Sequence, residues 1–258
     1  MASPEMVTST RPVYFYGLVR GDIAEAVAAT QTIDGESGLF GVRHGEITAI
    51  VSDARNERYQ VSRKFMLRHE AVVEAAMNVQ DVLPARFGVV RELTSLVDDL
   101  LAPHHGDLMV ELERMAGCAE FGVKISWRNL QTVVAGVVAA DPVLQRARER
   151  LGPRTPQRTR LDIGKRVEAK MEAAKTREGE GAVSAITASG PTVDVSIGKI
   201  IDELMVVNAS FLVRRACADE FTAAVEAFDR ASGDKYLIQI IGPLPPYSFV
   251  TFGQEGRQ

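Results

Sequence analysis

Apolar and polar positions along the chain repeat with two periods, and each change of period marks a new element. Val13-Tyr14-Phe15-Tyr16-Gly17-Leu18-Val19 is dense in aromatic and β-branched residues and closes at Gly21, which predicts a central strand. Leu39-Phe40-Gly41-Val42-Arg43 and Ile47-Thr48-Ala49-Ile50-Val51 flank His44-Gly45-Glu46, a short connection with glycine where positive φ is needed, and predict a hairpin. From 62 to 80 the period lengthens: Phe65, Val72, Val73, Ala76, Met77 and Val79 form a helical stripe with charges between them. Residues 82–90 return to strand character, with Pro84 pointing to an edge or a bulge. Two helical stretches follow, 93–101 and 106–116, interrupted at Pro103. These elements predict one α+β domain over 12–117.

A second domain, 118–242, opens on the strand-like Phe121-Gly122-Val123-Lys124-Ile125-Ser126-Trp127 and continues into a helix-rich block. Asp141-Pro142 is a helix start, an N-cap acceptor followed by proline in the first turn, and Gly152-Pro153 is its stop. A charged helix is expected over 162–178, fraying at Glu178-Gly179-Glu180-Gly181. Residues 204–213 read as strand, 219–231 as helix and 236–241 as strand. That order is close to βαββαβ with one strand lost or replaced, so the second domain reads as a modified ferredoxin-like fold. No tandem repeat of solenoid period is visible. After the last strand comes Gly242-Pro243-Leu244-Pro245-Pro246-Tyr247-Ser248-Phe249. Prolines cannot donate to a ladder, so 243–258 is expected to leave the sheet as an extended arm carrying two aromatic rings. The fold class is therefore α+β in two domains with a Pro-rich C-terminal arm.

Charge changes the picture by exclusion. The chain carries 30 basic and 34 acidic residues, a net charge of −4, so it offers no excess of cations to release counterions from nucleic acid. Residues 1–11 show neither a basic n-region nor an apolar h-region and read as a disordered leader on a cytoplasmic protein, without a membrane partner. Cys118 and Cys217 lie far apart, belong to no C-x-x-C pair, and are expected as two buried thiols in a reducing compartment.

Candidate chemistry is sparse. The histidines are His44, His69, His104 and His105, and no third ligand stands at a defined spacing from the adjacent pair. No phosphate-cradling glycine motif, nucleophile elbow or metal-protease signature occurs, so no cofactor, metal or catalytic residue is expected. Asp98-Asp99 point about 100° apart on a helix and read as solvated surface. Arg86 is the one charge inside the apolar run 83–89, either held by a buried acid or projecting outward beside Phe87 as a contact residue. In the arm, Pro245, Pro246, Tyr247 and Phe249 either pack on their own protein or dock a partner; Pro243 and Pro246 also satisfy P-x-x-P. Truncation after Gly242 is expected to destabilise the second domain in the first case and to remove partner binding in the second.

Four segments in this order carry a resemblance: Leu83-Pro84-Ala85-Arg86-Phe87-Gly88, Glu120-Phe121-Gly122-Val123-Lys124-Ile125, Asn208-Ala209-Ser210-Phe211-Leu212-Val213 and Gly242–Phe249. Together they resemble the gas vesicle protein F/L family over most of the chain. The sequence departs from that family at Ala85, where valine is frequent, and at Phe121, where tryptophan is frequent; both keep apolar character. The resemblance implies a non-enzymatic, two-domain α+β accessory protein of gas vesicle assembly, cytoplasmic and vesicle-associated. Its partners would be the hydrophobic gas vesicle shell protein and other accessory proteins, and it could be retained as a minor vesicle component. The alternative from another class is a small-molecule-binding regulator, since ferredoxin-like sheets also serve as sensors and fold alone does not decide. An exposed apolar groove favours assembly, and a polar pocket with convergent charges favours the regulator.

Overall fold

The computed structural model describes residues 11–36 and 38–252. The expected leader lies outside the described residues apart from Arg11, as does the expected arm beyond Phe252. The chain falls into two compact units: residues up to Glu120 together with those from Pro243 onward, and Phe121–Gly242.

The first unit runs β1 (Pro12–Arg20), α1 (Glu25–Ala28), β2 (Phe40–His44), β3 (Ile47–Asp53), α2 (Arg63–Val79), β4 (Val82–Pro84), β5 (Val90–Glu92), α3 (Leu93–Ser95) and α4 (His105–Met115). α3 continues into a π-helical stretch, Leu96–Leu101. The sheet is antiparallel in the order β2-β3-β1-β4, with β5 also on β1. β1 takes the central place its composition predicts, with Val13 through Val19 all buried. The β2–β3 hairpin turns at Gly45, whose φ of 60° is open to glycine and costly for other residues, and brings His44 opposite Ile47. The expected strand over 82–90 is instead two short strands, because Arg86–Gly88 turns away from β1 while the Ala85 N–H still donates to the Tyr16 carbonyl (2.8 Å) and the Val89 carbonyl still accepts from the Phe15 N–H (3.0 Å). Pro84 ends β4 at the sheet edge, where a missing N–H costs nothing. α2 starts at Ser62, whose hydroxyl accepts from the Phe65 N–H, and buries His69, Val72, Val73, Ala76 and Met77. These pack with Tyr14, Tyr16 and Ile50 in the core. Each large apolar side chain so buried stabilises the unit by about 1.5–3 kcal/mol.

The second unit contains most of β6 (Cys118–Trp127), α5 (Leu130–Ala140), α6 (Pro142–Arg150), α7 (Gln157–Ser189), β7 (Thr192–Ile197), β8 (Met205–Arg214), α8 (Ala218–Ser232) and most of β9 (Tyr236–Leu244), with sheet order β7-β8-β6-β9. The strand expected to be missing is present: β7 supplies it. β7 is an edge strand with no buried residue, yet its sequence alternates Val193, Val195 and Ile197 with Thr192, Asp194 and Ser196, the two-residue period of a strand. Both units therefore follow strand, helix, strand, strand, helix, strand with corresponding strands in the same places, although no sequence repeat betrays it. α7 runs straight through Gly179 instead of fraying there. A Cβ at 179 would stand 2.7 Å from the Val206 carbonyl oxygen, so the glycine is what lets the helix lie close against β8. Its propensity cost of about 1 kcal/mol is offset by that packing.

β9 also departs from expectation, because the strand continues through Gly242 and Pro243 to Leu244. β9 is an edge strand, so a proline on it need not break the ladder. Beyond it the chain turns: the Tyr247 N–H donates to the Pro245 carbonyl (2.8 Å) and the Phe249 N–H to the Pro246 carbonyl (3.1 Å), so the arm is folded over this stretch instead of extended. Cys118 is buried, whereas Cys217 is only half-buried; neither forms a disulfide.

Asp141 caps α6 as its sequence predicts. Its Oδ1 accepts from the N–H groups of Val143 (2.9 Å) and Leu144 (3.2 Å), and its Oδ2 from Arg166 Nε (3.0 Å). Burial pushes this carboxyl up, but the Arg166 hydrogen bond and the two backbone donors outweigh it and hold the pKa at about 2, against an ordinary 3.8. A depressed carboxyl pKa contributes stability that is complete above the ordinary value and is lost as pH falls through the folded one. Asp141→Ala is expected to lower the melting midpoint of the second unit at pH 7. Asp141→Asn, which keeps the cap acceptor and loses the ion pair, should lower it less, and the gap between wild type and Asn should close between pH 4 and pH 2.

Candidate functional site

His69 on α2 organises a buried polar cluster inside the first unit. Its Nε2 lies 3.1 Å from the Ala85 carbonyl oxygen, which can only accept, so Nε2 carries the proton. Nδ1, 3.1 Å from the Tyr14 hydroxyl, therefore accepts, and the same hydroxyl accepts from the Gly88 N–H at 2.9 Å. Burial drives the imidazole pKa down to about 4, with the Ala85 hydrogen bond opposing only in part, so His69 is neutral at pH 7. Tyr16, stacked on His69 at 5.8 Å, is pushed up to about 12 by burial; its hydroxyl accepts from the Ile33 N–H (2.6 Å). With both ring nitrogens engaged and no nucleophile among its contacts, His69 acts as a clasp between α2, β1 and the 85–88 turn.

The C-terminal segment closes on this cluster. The Tyr247 ring lies 6.1 Å from His69, and Phe87 lies 6.0 Å from the same imidazole. The buried Glu120 carboxylate accepts from the Ser248 N–H (2.8 Å) and hydroxyl (2.6 Å), Arg114 donates to the Phe249 carbonyl (2.8 Å), and Thr251 donates to Glu111. Phe252 reaches Phe15 with ring centroids 6.3 Å apart. Of the residues singled out from sequence, Pro245, Pro246 and Phe249 are buried, Phe87 and Tyr247 are half-buried against the first unit's core, and Arg86 is exposed without a carboxylate partner among the described residues. Tyr247 and Phe87 are thus brought together; Arg86 stands apart from them. The arm's partners lie in the first unit, not in the second domain that precedes it in sequence. His69 and Glu120 escaped the sequence reading. A histidine inside an apolar helical stripe was the available signal for the first, and nothing local marked the second.

Elsewhere, His44 and His105 meet edge to face at 5.7 Å. Among the described residues no three His, Cys, Asp or Glu side chains converge as metal ligands would, and no helix is long and apolar enough to cross a membrane.

The second unit presents a different kind of surface. A groove of about 720 Å3 runs between α7 and the end of β7, with Val183, Ile197, Ile200, Val206 and Val207 along it and charged residues such as Glu172 and Lys175 at its rim. Ile197 is 65% exposed and Ile201, on the adjoining β7–β8 connection, 70%. Sequence reasoning missed this surface because the missing strand β7 is one of its walls.

Comparison with known proteins follows the same lines. The family model for gas vesicle synthesis protein GvpL/GvpF matches residues 12–251. Gas vesicle protein F of Dolichospermum flosaquae is 28% identical over 92% of this chain and 97% of its own, and gas vesicle protein F of Streptomyces sp. (strain CB03234) is 32% identical over 80% and 85%. The crystal structure of GvpF from Microcystis aeruginosa superposes with a TM-score of 0.76 at 25% identity, covering 93% of this chain and 99% of that one. The chain belongs to the gas vesicle synthesis protein GvpL/GvpF family and has a role in gas vesicle formation.

Proposed function

We propose that this chain is a non-enzymatic accessory protein that binds the hydrophobic gas vesicle shell protein during assembly, working in the cytoplasm and alongside other accessory proteins. The observation that carries this reading is the groove of the second unit, where Ile197 and Ile200 stand exposed over a floor formed by the buried Val206 and Val207, with the exposed Ile201 on the adjoining connection. A subunit apolar enough to wall a gas space aggregates in water before it assembles, so a soluble partner that covers its apolar face meets a physical need. The second unit reads as a modified ferredoxin-like domain, supported by its βαββαβ connectivity with α5, α6 and α7 all placed in the first crossover. Of the arm residues, Tyr247 and Phe249 serve packing in this reading, while Arg86, which is exposed, stays available for contact.

Co-expression with the shell protein and capture on a tagged copy of this chain tests the proposal. Ile197→Asp with Ile200→Asp is expected to abolish capture while lowering the melting midpoint only slightly, since Ile197 is 65% and Ile200 42% exposed. Undiminished capture by the double variant would remove the groove from the mechanism, and no capture by the wild type would remove the shell protein.

A further inference from the structure

A second concavity of the same unit has the opposite character. It is a cleft of about 540 Å3 between α5 and α7, separate from the groove. α5, Leu-Gln-Thr-Val-Val-Ala-Gly-Val-Val-Ala-Ala, is almost wholly apolar, yet none of its residues is buried. Val133 and Val137 line the cleft with Gly136 between them, and a Cβ on Gly136 would meet nothing within 4 Å. The space beside this helix is therefore open, walled by aliphatic carbon on the α5 side and by Ala174 on α7.

The charges around the cleft do not cancel. Asp141 is already engaged by two backbone N–H groups and by Arg166 at 2.8 Å. Glu178 accepts from Trp127 Nε1–H (2.7 Å) and the Tyr236 hydroxyl (2.9 Å) and pairs with Lys235 (3.0 Å). Both carboxylates are saturated. What remains is Arg177, which has no carboxylate partner among the described residues, and Lys170, whose contact with Asp141 is a loose 3.6 Å. A cleft lined by cations without saturated partners and by aliphatic carbon selects a ligand with one anionic group and one apolar body.

We propose that the α5–α7 cleft binds a small organic carboxylate with an unbranched apolar tail, its carboxylate on Arg177 and Lys170 and its tail against Val133 and Val137. The site shares no residue with the groove, so its failure and that of shell-protein binding are separable.

Isothermal titration calorimetry of the full chain with decanoate is the test. Saturable binding is expected, with butyrate far weaker for want of a tail. Decanol, which loses the charge-assisted contacts with both cations, should be weaker by more than about tenfold, the worth of one such hydrogen bond. Arg177→Gln, at an exposed position, removes one of the two contacts and should weaken decanoate by about tenfold. Gly136→Leu should abolish binding by filling the space, with the melting midpoint unchanged or raised because leucine favours helix over glycine. No saturable heat with wild type would overturn the proposal, as would decanol binding as tightly as decanoate. Full binding by Gly136→Leu would place the ligand elsewhere and overturn it equally.

Discussion

Replacing Tyr247 and Phe249 together by alanine is expected to lower the stability of the first unit by roughly 3–5 kcal/mol, the range of large aromatic-to-alanine changes in cores. Phe249 is 5% exposed, and Tyr247 covers the imidazole of His69. Neither ring is local in sequence to the surface it covers, so losing either also frees the turn that Glu120 holds through Ser248. The two single changes should therefore sum to more than the double, because each unlatches the same segment. The effect belongs to the first unit, against the expectation from sequence adjacency, and the chain carries its own reporter for this: Trp127, its sole tryptophan, is buried in the second unit. In urea, the double variant should shift the part of the circular-dichroism transition that does not track Trp127, while the Trp127 fluorescence transition stays where it is. An equal shift in Trp127 fluorescence would mean that the arm supports the second unit instead. Tyr247→Phe gives an internal control of opposite sign. The Tyr247 hydroxyl is buried with no hydrogen-bond partner among the described residues, and removing it should be neutral or stabilising by about 1 kcal/mol.

Legibility in the sequence followed how local each determinant was. β1, the β2–β3 hairpin, α2 and the Asp141 cap are set by residues within one or two turns of each other, and period, glycine placement and cap chemistry found them. What escaped depended on tertiary placement. Gly179 reads as a helix breaker until β8 is known to lie against it. Thr192–Ile197, by contrast, is legible: Val193, Val195 and Ile197 alternate with polar residues, the period of a strand, and the segment escaped only for its shortness between a long helix and a glycine-containing loop. Pro243 reads as the end of a strand when the whole sheet edge is out of view. The site shows the same division. Phe87 and Tyr247 could each be picked out as aromatics in unusual contexts, but that both face His69 is a property of the folded chain. Glu120 lies at the head of a segment legible only as strand, and its grip on Ser248 has no sequence signature. Arg86, by contrast, stood out as a charge in an apolar run, and it is the flanking Ala85 and Phe87 that turn inward while its own side chain is exposed.

Acidification should weaken the first unit well before it reaches the carboxylate range, and His69 is the cause. Its pKa is about 4 in the folded protein, because burial strips water from the charged form while one hydrogen bond to Ala85 opposes only in part, against an ordinary 6.5 when unfolded. The unfolded chain therefore takes up the proton first as pH falls. The stability linked to this group is fully present above pH 6.5 and is lost progressively down to about pH 4, a change of about 3 kcal/mol at 1.36 kcal/mol per unit. Protonation would also force Nδ1 to become a donor where it now accepts from Tyr14, so the clasp of α2, β1 and the 85–88 turn opens with it. His69→Phe keeps a ring of similar shape and cannot titrate. It should be less stable than wild type at pH 7, since the hydrogen bonds to Tyr14 and Ala85 are gone, yet lose little further stability between pH 6.5 and pH 4. The Asp141 contribution belongs to the second unit and falls below this window, so comparing circular dichroism with Trp127 fluorescence separates the two. Parallel pH slopes for wild type and His69→Phe across that window would refute the assignment, and an NMR titration placing the His69 imidazole near its ordinary pKa would refute the burial argument beneath it.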